Sequence, residues 1–386
     1  MIKILLLIDY SSEFSRRLLR GLVSYSNDYG PWIFYRLPSY YKYLYGKEGI
    51  VDWVKEWRPD AIIAKWDYNG TDLFQDLNVP VIFQNYKERS KHASNLTGDY
   101  IGTGKLAAKF FINKRYRNFA FYGNKGVIWS IERAEGFRQE IQKVNGNYHY
   151  FESESLDENQ WNNNHIKLEE WLLSLPKPIA LFACDDSFAL QVSEICKINN
   201  IHIPHEISLL GVDNDELICN LSDPPISSIV LEVEKGGYLA GKLIHQLINK
   251  EKEFFNIVIN PVRIEERGST DKYDISDKYI LKIIQHIKSN FRTDILFNDL
   301  IKQVPFSRRN LEIKFKKEVG TSIYQFILNC KVEHFVYLLL TTNRSIFDLA
   351  LEAGFKDSKN FSRIFKKYFG ISPMEYRQKY SFDIIK

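Results

Sequence analysis

The apolar pattern of the chain changes character once, near residue 270. Before that point short apolar runs at 4–8, 61–64, 79–83, 119–122, 179–183 and 207–212 alternate with stretches at 14–26, 102–113, 131–143 and 187–199, whose apolar residues recur three and four positions apart. The first kind predicts strands and the second predicts helices. Strands alternating with helices are the mark of a doubly wound parallel sheet, so the first 270 residues read as α/β. In such a sheet ligands sit beyond the carboxyl ends of the strands. That rule singles out Asp9, Asn85, Asp185 and Asp213, joined by Arg133 at the start of a helix.

Across Arg267-Gly268-Ser269-Thr270-Asp271-Lys272-Tyr273-Asp274 the pattern gives way to polar and charged residues. We read 1–270 as one domain, 271–276 as a linker and 277–386 as a second domain. From residue 275 no strand-like alternation follows, and the spacing predicts helices at 275–290, 296–303, 307–318, 322–340, 345–353, 357–368 and 373–380.

Composition adds most in this second domain. The whole chain, 45% hydrophobic and 26% charged over 386 residues, has the make-up of a soluble globular protein of two or three domains. Its formal charge is only +4, but residues 275–386 hold 20 Lys and Arg against 11 Asp and Glu, a net +9, which leaves −5 for the rest. A compact basic domain attracts polyanions, of which nucleic acid is the usual one.

Other classes are disfavoured. Cys184, Cys196, Cys219 and Cys330 form no CxxC pair and have no His at ligand spacing, so neither a disulfide framework nor a zinc site is expected, and a reducing cytoplasm fits. No stretch reaches the roughly 18 apolar residues of a membrane span. Gly102-Thr103-Gly104-Lys105 is only a fragment of a phosphate-cradling loop, and no nucleophile has a plausible base. Asp185-Asp186 is a carboxylate pair, but adjacent residues rarely converge on one point. We expect no enzyme, no cofactor and no metal.

Within the helical region one pattern occurs twice. Phe297 to Ser307 is followed by Arg308-Arg309-Asn310-Leu311-Glu312-Ile313-Lys314-Phe315-Lys316-Lys317 and Gly320; Ile346 to Phe355 is followed by Lys356-Asp357-Ser358-Lys359-Asn360-Phe361-Ser362-Arg363-Ile364-Phe365-Lys366-Lys367 and Gly370. Each copy reads as a short helix, a turn, a capping residue (Ser307 or Asp357) and a second helix. Leu311 with Phe315, and Phe361 with Phe365, lie four apart and must face inward. The opposite faces then present Arg308, Arg309 and Glu312 in the first copy and Ser358, Lys359, Ser362 and Arg363 in the second. Such helices fit the major groove of double-stranded DNA, where Arg can donate a bidentate pair to guanine. The 50-residue offset would let the two readers enter successive grooves, about 34 Å apart.

The run from Ser345 to Arg377, with Asp348-Leu349-Ala350, Ala353-Gly354-Phe355 and Phe361-Ser362-Arg363-Ile364-Phe365-Lys366 at its heart, resembles the signature of the AraC/XylS regulators. The first copy is a looser match: Ile301 stands where that family usually has Ala and Pro305 where it commonly has Gly. Residues 1–270 resemble the two-lobed, periplasmic-binding-protein-like effector domain of LacI-type regulators, through Gly98-Asp99-Tyr100-Ile101-Gly102, Arg133-Ala134-Glu135-Gly136-Phe137, Leu181-Phe182-Ala183-Cys184-Asp185-Asp186, Leu210-Gly211-Val212-Asp213-Asn214 and Glu266-Arg267-Gly268-Ser269-Thr270.

Together these resemblances imply a cytoplasmic, homodimeric regulator of sugar-use genes. Its partners would be operator DNA, a small sugar (a pentose, D-xylose foremost) and, for an activator, RNA polymerase. By family position Asp9, Asn85, Arg133, Asp185 and Asp213 would supply polar contacts to the sugar and Trp161 would stack on it. Blander roles stay open: Asp213 as a turn cap, Arg133 as a surface ion-pair partner, Trp161 as core. Leu231, near a position that is often polar in sugar binders, leaves the sugar's identity open.

Overall fold

The structure, a computed structural model, describes residues 1–8, 10–37, 40–65, 74, 79–84, 89–90, 93–153, 161–251, 255–356 and 358–380, without the side chains of 40–45, 47–48, 161–163, 341, 358–360 and 379–380. The chain forms two compact units: residues 1–112 with 117–272, and residues 113–116 with 273–386.

The first unit is built on two sheets. β1 (Lys3–Leu7), α1 (Glu13–Tyr29), β2 (Ile33–Arg36), α2 (Tyr40–Trp57), β3 (Ala61–Lys65), β4 (Val81–Gln84) and β5 (Ser94–Gly98) begin one lobe. The chain then crosses to a second lobe with α3 (Tyr100–Asn113), β6 (Asn118–Asn124), α4 (Ile128–Lys143), β7 (Asn147–Ser153), α5 (Trp161–Ser174), β8 (Ile179–Ala183), α6 (Asp186–Ile198), β9 (Ile207–Val212), α7 (Glu216–Leu221) and β10 (Ser227–Leu231). It returns as α8 (Val233–Ile248), which packs along α1, and β11 (Ile257–Ile259), and crosses a third time at Asn260 to β12 (Pro261–Glu265). The six-stranded orders are β11-β5-β4-β3-β1-β2 and β12-β10-β9-β8-β6-β7. Among the described residues every pairing is parallel except β10 with β12.

β8 and β9 are buried at every position, as strands covered by helices on both faces must be. Half of the described strands were not apparent in the apolar pattern: β2, β5, β7, β10, β11 and β12. β5 and β10 are the instructive ones, because Ser94, Asn95, Thr97, Ser227 and Ser228 are buried polar residues inside them. Their hydrogen bonds go to distant parts of the chain: Asn95 Nδ2 donates to Asn256 Oδ1 (2.8 Å), Ser227 Oγ pairs with Thr270 Oγ1 (2.7 Å) and Ser228 Oγ donates to Asp186 (2.6 Å). Satisfied in this way, the buried polar groups avoid the cost of desolvation without a partner.

The second unit is helical: α9 (Lys278–Asn290), α10 (Phe297–Ile301), α11 (Arg308–Val319), α12 (Ile323–Thr341), α13 (Ile346–Glu352), α14 (Ser358–Phe369) and α15 (Pro373–Tyr380). Each helix expected from the spacing is present, displaced by no more than three residues at either end. Two small cores form. Ile280, Ile283, Ile284, Ile287, Leu300, Leu311, Phe315 and Phe326 make one; Val332, Phe335, Leu339, Leu349, Phe361, Phe365 and Tyr376 make the other. The 19-residue α12, about 28 Å long, feeds both cores.

The 50-residue repeat extends to the caps. Gly320 and Gly370 close α11 and α14 with left-handed φ of 81° and 77°, their N–H groups bonded to Lys316 O (2.9 Å) and Lys366 O (2.8 Å). Ser322 and Ser372 then cap the next helices, accepting from Gln325 N (3.1 Å) and Glu375 N (3.2 Å). The turns inside the two units differ. Between α13 and α14 the chain turns through Gly354 at φ 87°, whereas residues 302–307 make a turn one residue longer with no left-handed residue. Pro305, with φ held near −65°, is compatible with that longer path.

Candidate ligand cleft and DNA-reading surface

The carboxyl ends of the strands carry an unusual set of polar atoms. Tyr10 Oη, Gln84 Oε1, Arg133 Nε and Asp213 Oδ1 are buried without a hydrogen-bond partner among the described residues. They follow β1, end β4, lie in α4 and follow β9. Buried polar groups are normally paired, so three orphans at or just after strand ends, with a fourth on α4, point to a ligand that pairs them.

Arg133 and Asp213 form the centre of this set. Arg133, 4% exposed, donates from one terminal nitrogen to Cys184 O and places the other 3.7 Å from Asp213 Oδ1. Its guanidinium also lies over the rings of Trp129 (5.3 Å) and Tyr100 (5.6 Å). Asp213 sits at φ 99° and Asn214 at φ 52°, two successive non-glycine residues outside the ordinary backbone regions. Neighbours hold them there. Ser228 Oγ accepts from Asn214 N (2.9 Å), Arg267 donates to Asn214 Oδ1 (2.7 Å), and buried Asp186 takes Ser228 Oγ (2.6 Å) and Asp215 N (2.8 Å). Burial raises the Asp213 carboxyl above its ordinary range, while Arg133, Arg17 and Lys65 oppose that rise. Burial also lifts Asp185 to about 6, against its hydrogen bond from Phe188 N (2.9 Å). Asp185 is the N-cap of α6, a role the sequence had not revealed.

The two lobes touch on either side of these strand ends. From the first lobe Arg17 donates to Leu231 O (3.0 Å) and Asp213 O (3.5 Å), and Arg16 pairs with Asp215 (3.3 Å). Arg89 grips Glu132 of α4 with both terminal nitrogens, at 2.6 and 2.7 Å. Polar side chains of both lobes thus meet beside the strand ends, and the unpaired atoms there suit a small molecule bearing several hydroxyls.

In the helical unit Leu311, Phe315, Phe361 and Phe365 are fully buried, and the opposite faces of α11 and α14 are exposed. Arg309 is exposed outright. Arg308 lies over the Phe297 ring (4.6 Å) and pairs with Glu312 (3.3 Å), so these two are partly engaged within the helix. Ser362 and Arg363 are exposed on α14, followed by exposed Lys366 and Lys367, as Lys316 and Lys317 are on α11. Cations in a last turn suit the helix C-terminus and also reach phosphate.

Residues 108–270 match the periplasmic binding protein-like domain, and residues 300–379 match a helix-turn-helix domain. The xylose operon regulatory protein of Escherichia coli (strain K12) is 30% identical over 338 residues, 85% of this chain and 86% of that protein. Its namesake in Haemophilus influenzae is 30% identical over 335 residues, covering 84% and 87%. The chain belongs to the xylose operon regulatory protein family. The solved structure of the xylose-binding transcription activator xylR superposes with a TM-score of 0.61 at 27% identity, over 98% of each chain. A LacI family regulator from Enterococcus faecium with bound ribose shares the fold over 69% of this chain and 98% of its own, with a TM-score of 0.57 at 19% identity.

As a member of this family the chain is a transcription regulator that binds DNA through its helix-turn-helix units. Of the residues expected at its ligand site, Arg133, Asp185 and Asp213 gather at the strand ends. Asp9, Asn85 and the side chain of Trp161 lie outside the described residues, as do Asp357 and the side chains of Ser358 and Lys359. Tyr10, Gln84, Lys65, Arg89 and Glu132 were not anticipated. The strand-end rule alone would have found Lys65 and Gln84, which close β3 and β4. Among the described residues no helix is long and apolar enough to cross a membrane, and no group of His, Cys, Asp or Glu could hold a metal ion.

Proposed function

We propose that the chain is a cytoplasmic, homodimeric activator of pentose-use genes whose cleft binds D-xylose. In this reading Arg133, Asp185 and Asp213, with Asp9 and Asn85, hydrogen-bond the sugar hydroxyls, and Trp161 covers the apolar face of the ring. The observation that carries it is the Arg133–Asp213 pair, each partner with a buried unpaired polar atom, on a strained backbone at the end of β9. Sugar bound between the lobes favours their closed arrangement. A ligand can move that equilibrium only by its differential affinity for the two arrangements, on the order of 1–3 kcal/mol for a typical regulator. The closed dimer places Arg309 and Arg363, with Arg308, Glu312, Ser358, Lys359 and Ser362, against operator DNA and recruits RNA polymerase.

Isothermal titration of the full chain with xylose, arabinose, ribose and glucose tests the reading, with Asp213→Asn as the comparison. Xylose is expected to bind selectively, and the variant, having exchanged a charge-assisted hydrogen bond for a neutral one, to bind at least about tenfold more weakly. Binding of no pentose, or equal affinity in the variant, would overturn it.

A further inference from the structure

Arg89 and Glu132 do not belong to the set of residues that the sugar is expected to touch, yet their contact has features that set it apart from an ordinary surface ion pair. Arg89 follows β4 in the first lobe, and Glu132 lies on α4 in the second. The guanidinium meets the carboxylate in a two-pronged fork, at 2.6 and 2.7 Å, and its third nitrogen donates to Thr97 Oγ1 of β5 at 3.1 Å. All three nitrogens are therefore committed, and both side chains are partly buried, at 35% and 24% exposure. A planar fork of this kind is preorganised and loses less on forming than a Lys contact would.

The pair is also physically continuous with the ligand site. Buried Tyr100, at the first crossing between the lobes, has two guanidinium groups near its ring: Arg89 is 5.9 Å from its centre and Arg133 is 5.6 Å. Glu132 precedes Arg133 on the same helix. Around this crossing the connections are short and mutually bonded, with Asp99 N donating to Ile259 O (2.9 Å) and Glu232 N to Asn260 O (3.1 Å). The two halves of the Arg89–Glu132 fork ride on different lobes, so a relative movement of the lobes strains the fork.

We propose that Arg89 and Glu132 form a latch that holds the lobes together, with Tyr100 as the positioning residue that ties the latch to Arg133, so that latch strength sets effector affinity without touching the effector. The proposal rests on the reading of the cleft as the sugar site. It gives the latch a definite energetic role: opening the fork shifts the protein toward the open arrangement, and the apparent dissociation constant rises by the inverse of the fraction that remains closed.

The test uses the full chain with Glu132→Gln, Arg89→Gln, the double variant, and the exchanged pair Arg89→Glu with Glu132→Arg. Each single variant is expected to weaken xylose binding about tenfold, the double variant to be no worse than either single, and the exchanged pair to recover part of the loss. Additive losses, or unchanged affinity in the single variants, would overturn the latch. A sugar-free arm separates this from the cleft reading: spin labels at exposed Lys55 and Lys197, one on each lobe, with Cys330 replaced by Ser, report the interlobe distance. Glu132→Gln is expected to shift that distribution without any sugar. If it does so while wild type binds no pentose, the latch stands and the sugar assignment fails; if the distribution is unchanged, the latch fails whatever the ligand.

Discussion

Replacement of Gly354 by Ala offers a sharp test of how the second reading unit is held. Gly354 turns the chain between α13 and α14 at φ 87°, and a Cβ placed on it would lie 2.6 Å from Arg292 O, a backbone atom in the turn that follows α9. Two costs add. A non-glycine residue in the left-handed region costs roughly 1–2 kcal/mol. Displacing a packed backbone costs a further amount, on the order of 1–3 kcal/mol by analogy with overpacked cores. Gly370→Ala isolates the first cost, because Gly370 has φ 77° but open space around its Cβ. Global melting is a poor measure in a chain of two units, so the assay is native-state hydrogen exchange of the amides in α13 and α14 for Gly354→Ala, and in α14 and α15 for Gly370→Ala. Gly370→Ala is expected to speed exchange about tenfold and Gly354→Ala at least about thirtyfold, since 1.4 kcal/mol is a factor of ten. Operator affinity should fall in the same order. Equal effects of the two substitutions would refute the close approach of Arg292 and leave only the dihedral cost.

Two further outcomes follow from the site descriptions. Arg309→Ala is expected to weaken operator binding by about 1–3 kcal/mol and to relax preference at one base pair, measured by fluorescence anisotropy on an operator series; uniform weakening across sequences with a smaller salt dependence would assign Arg309 to phosphate instead. Asp185 is raised from 3.8 to about 6 by burial, so the folded state holds its proton more tightly than the unfolded chain, and the associated stability is full below pH 4 and is lost as pH rises through 6. Asp185→Asn, which can still cap α6, is therefore expected to gain on wild type by up to about 3 kcal/mol between pH 4 and 7, read by urea unfolding; a difference independent of pH would refute the raised carboxyl.

Legibility in the sequence followed physical locality. The helices of the second unit were readable because each buries one stripe of apolar residues into a core made by near neighbours, such as Leu311 with Phe315 against Ile283 and Ile287. β8 and β9 were readable because both of their faces are covered. β5 and β10 were not, because Asn95 and Ser227 are buried against Asn256 and Thr270, 161 and 43 residues away, and nothing in the local pattern records that pairing. The site divides in the same way. Arg133, Asp185 and Asp213 stand at strand ends or in a familiar motif, whereas Arg89 and Glu132 acquire meaning only when the chain has crossed between lobes. Pro305 stood out in the sequence as a departure from the family pattern, and the turn it lies in, residues 302–307, is one residue longer than that between α13 and α14.

The backbone at Asp213 bears on function independently of any resemblance. A turn that merely redirects the chain after β9 could use Gly at φ 99° at no steric cost, and an Asp there is held in a conformation that costs roughly 1–3 kcal/mol. Helix capping does not account for it, since Asp215 caps α7 through Leu217 N (3.1 Å) and Ile218 N (3.3 Å). Nor does pairing with Arg133 at 3.7 Å, because Asp213 Oδ1 and Arg133 Nε remain without hydrogen bonds. What distinguishes Asp from Gly at this point is a carboxylate presented from a rigid turn into a cleft, beside a guanidinium whose remaining donor is unspent. A ligand with adjacent hydroxyls, each able to donate to Asp213 and accept from Arg133, would pair both orphan atoms, and the strain is then the cost of holding the carboxylate in place before the ligand arrives.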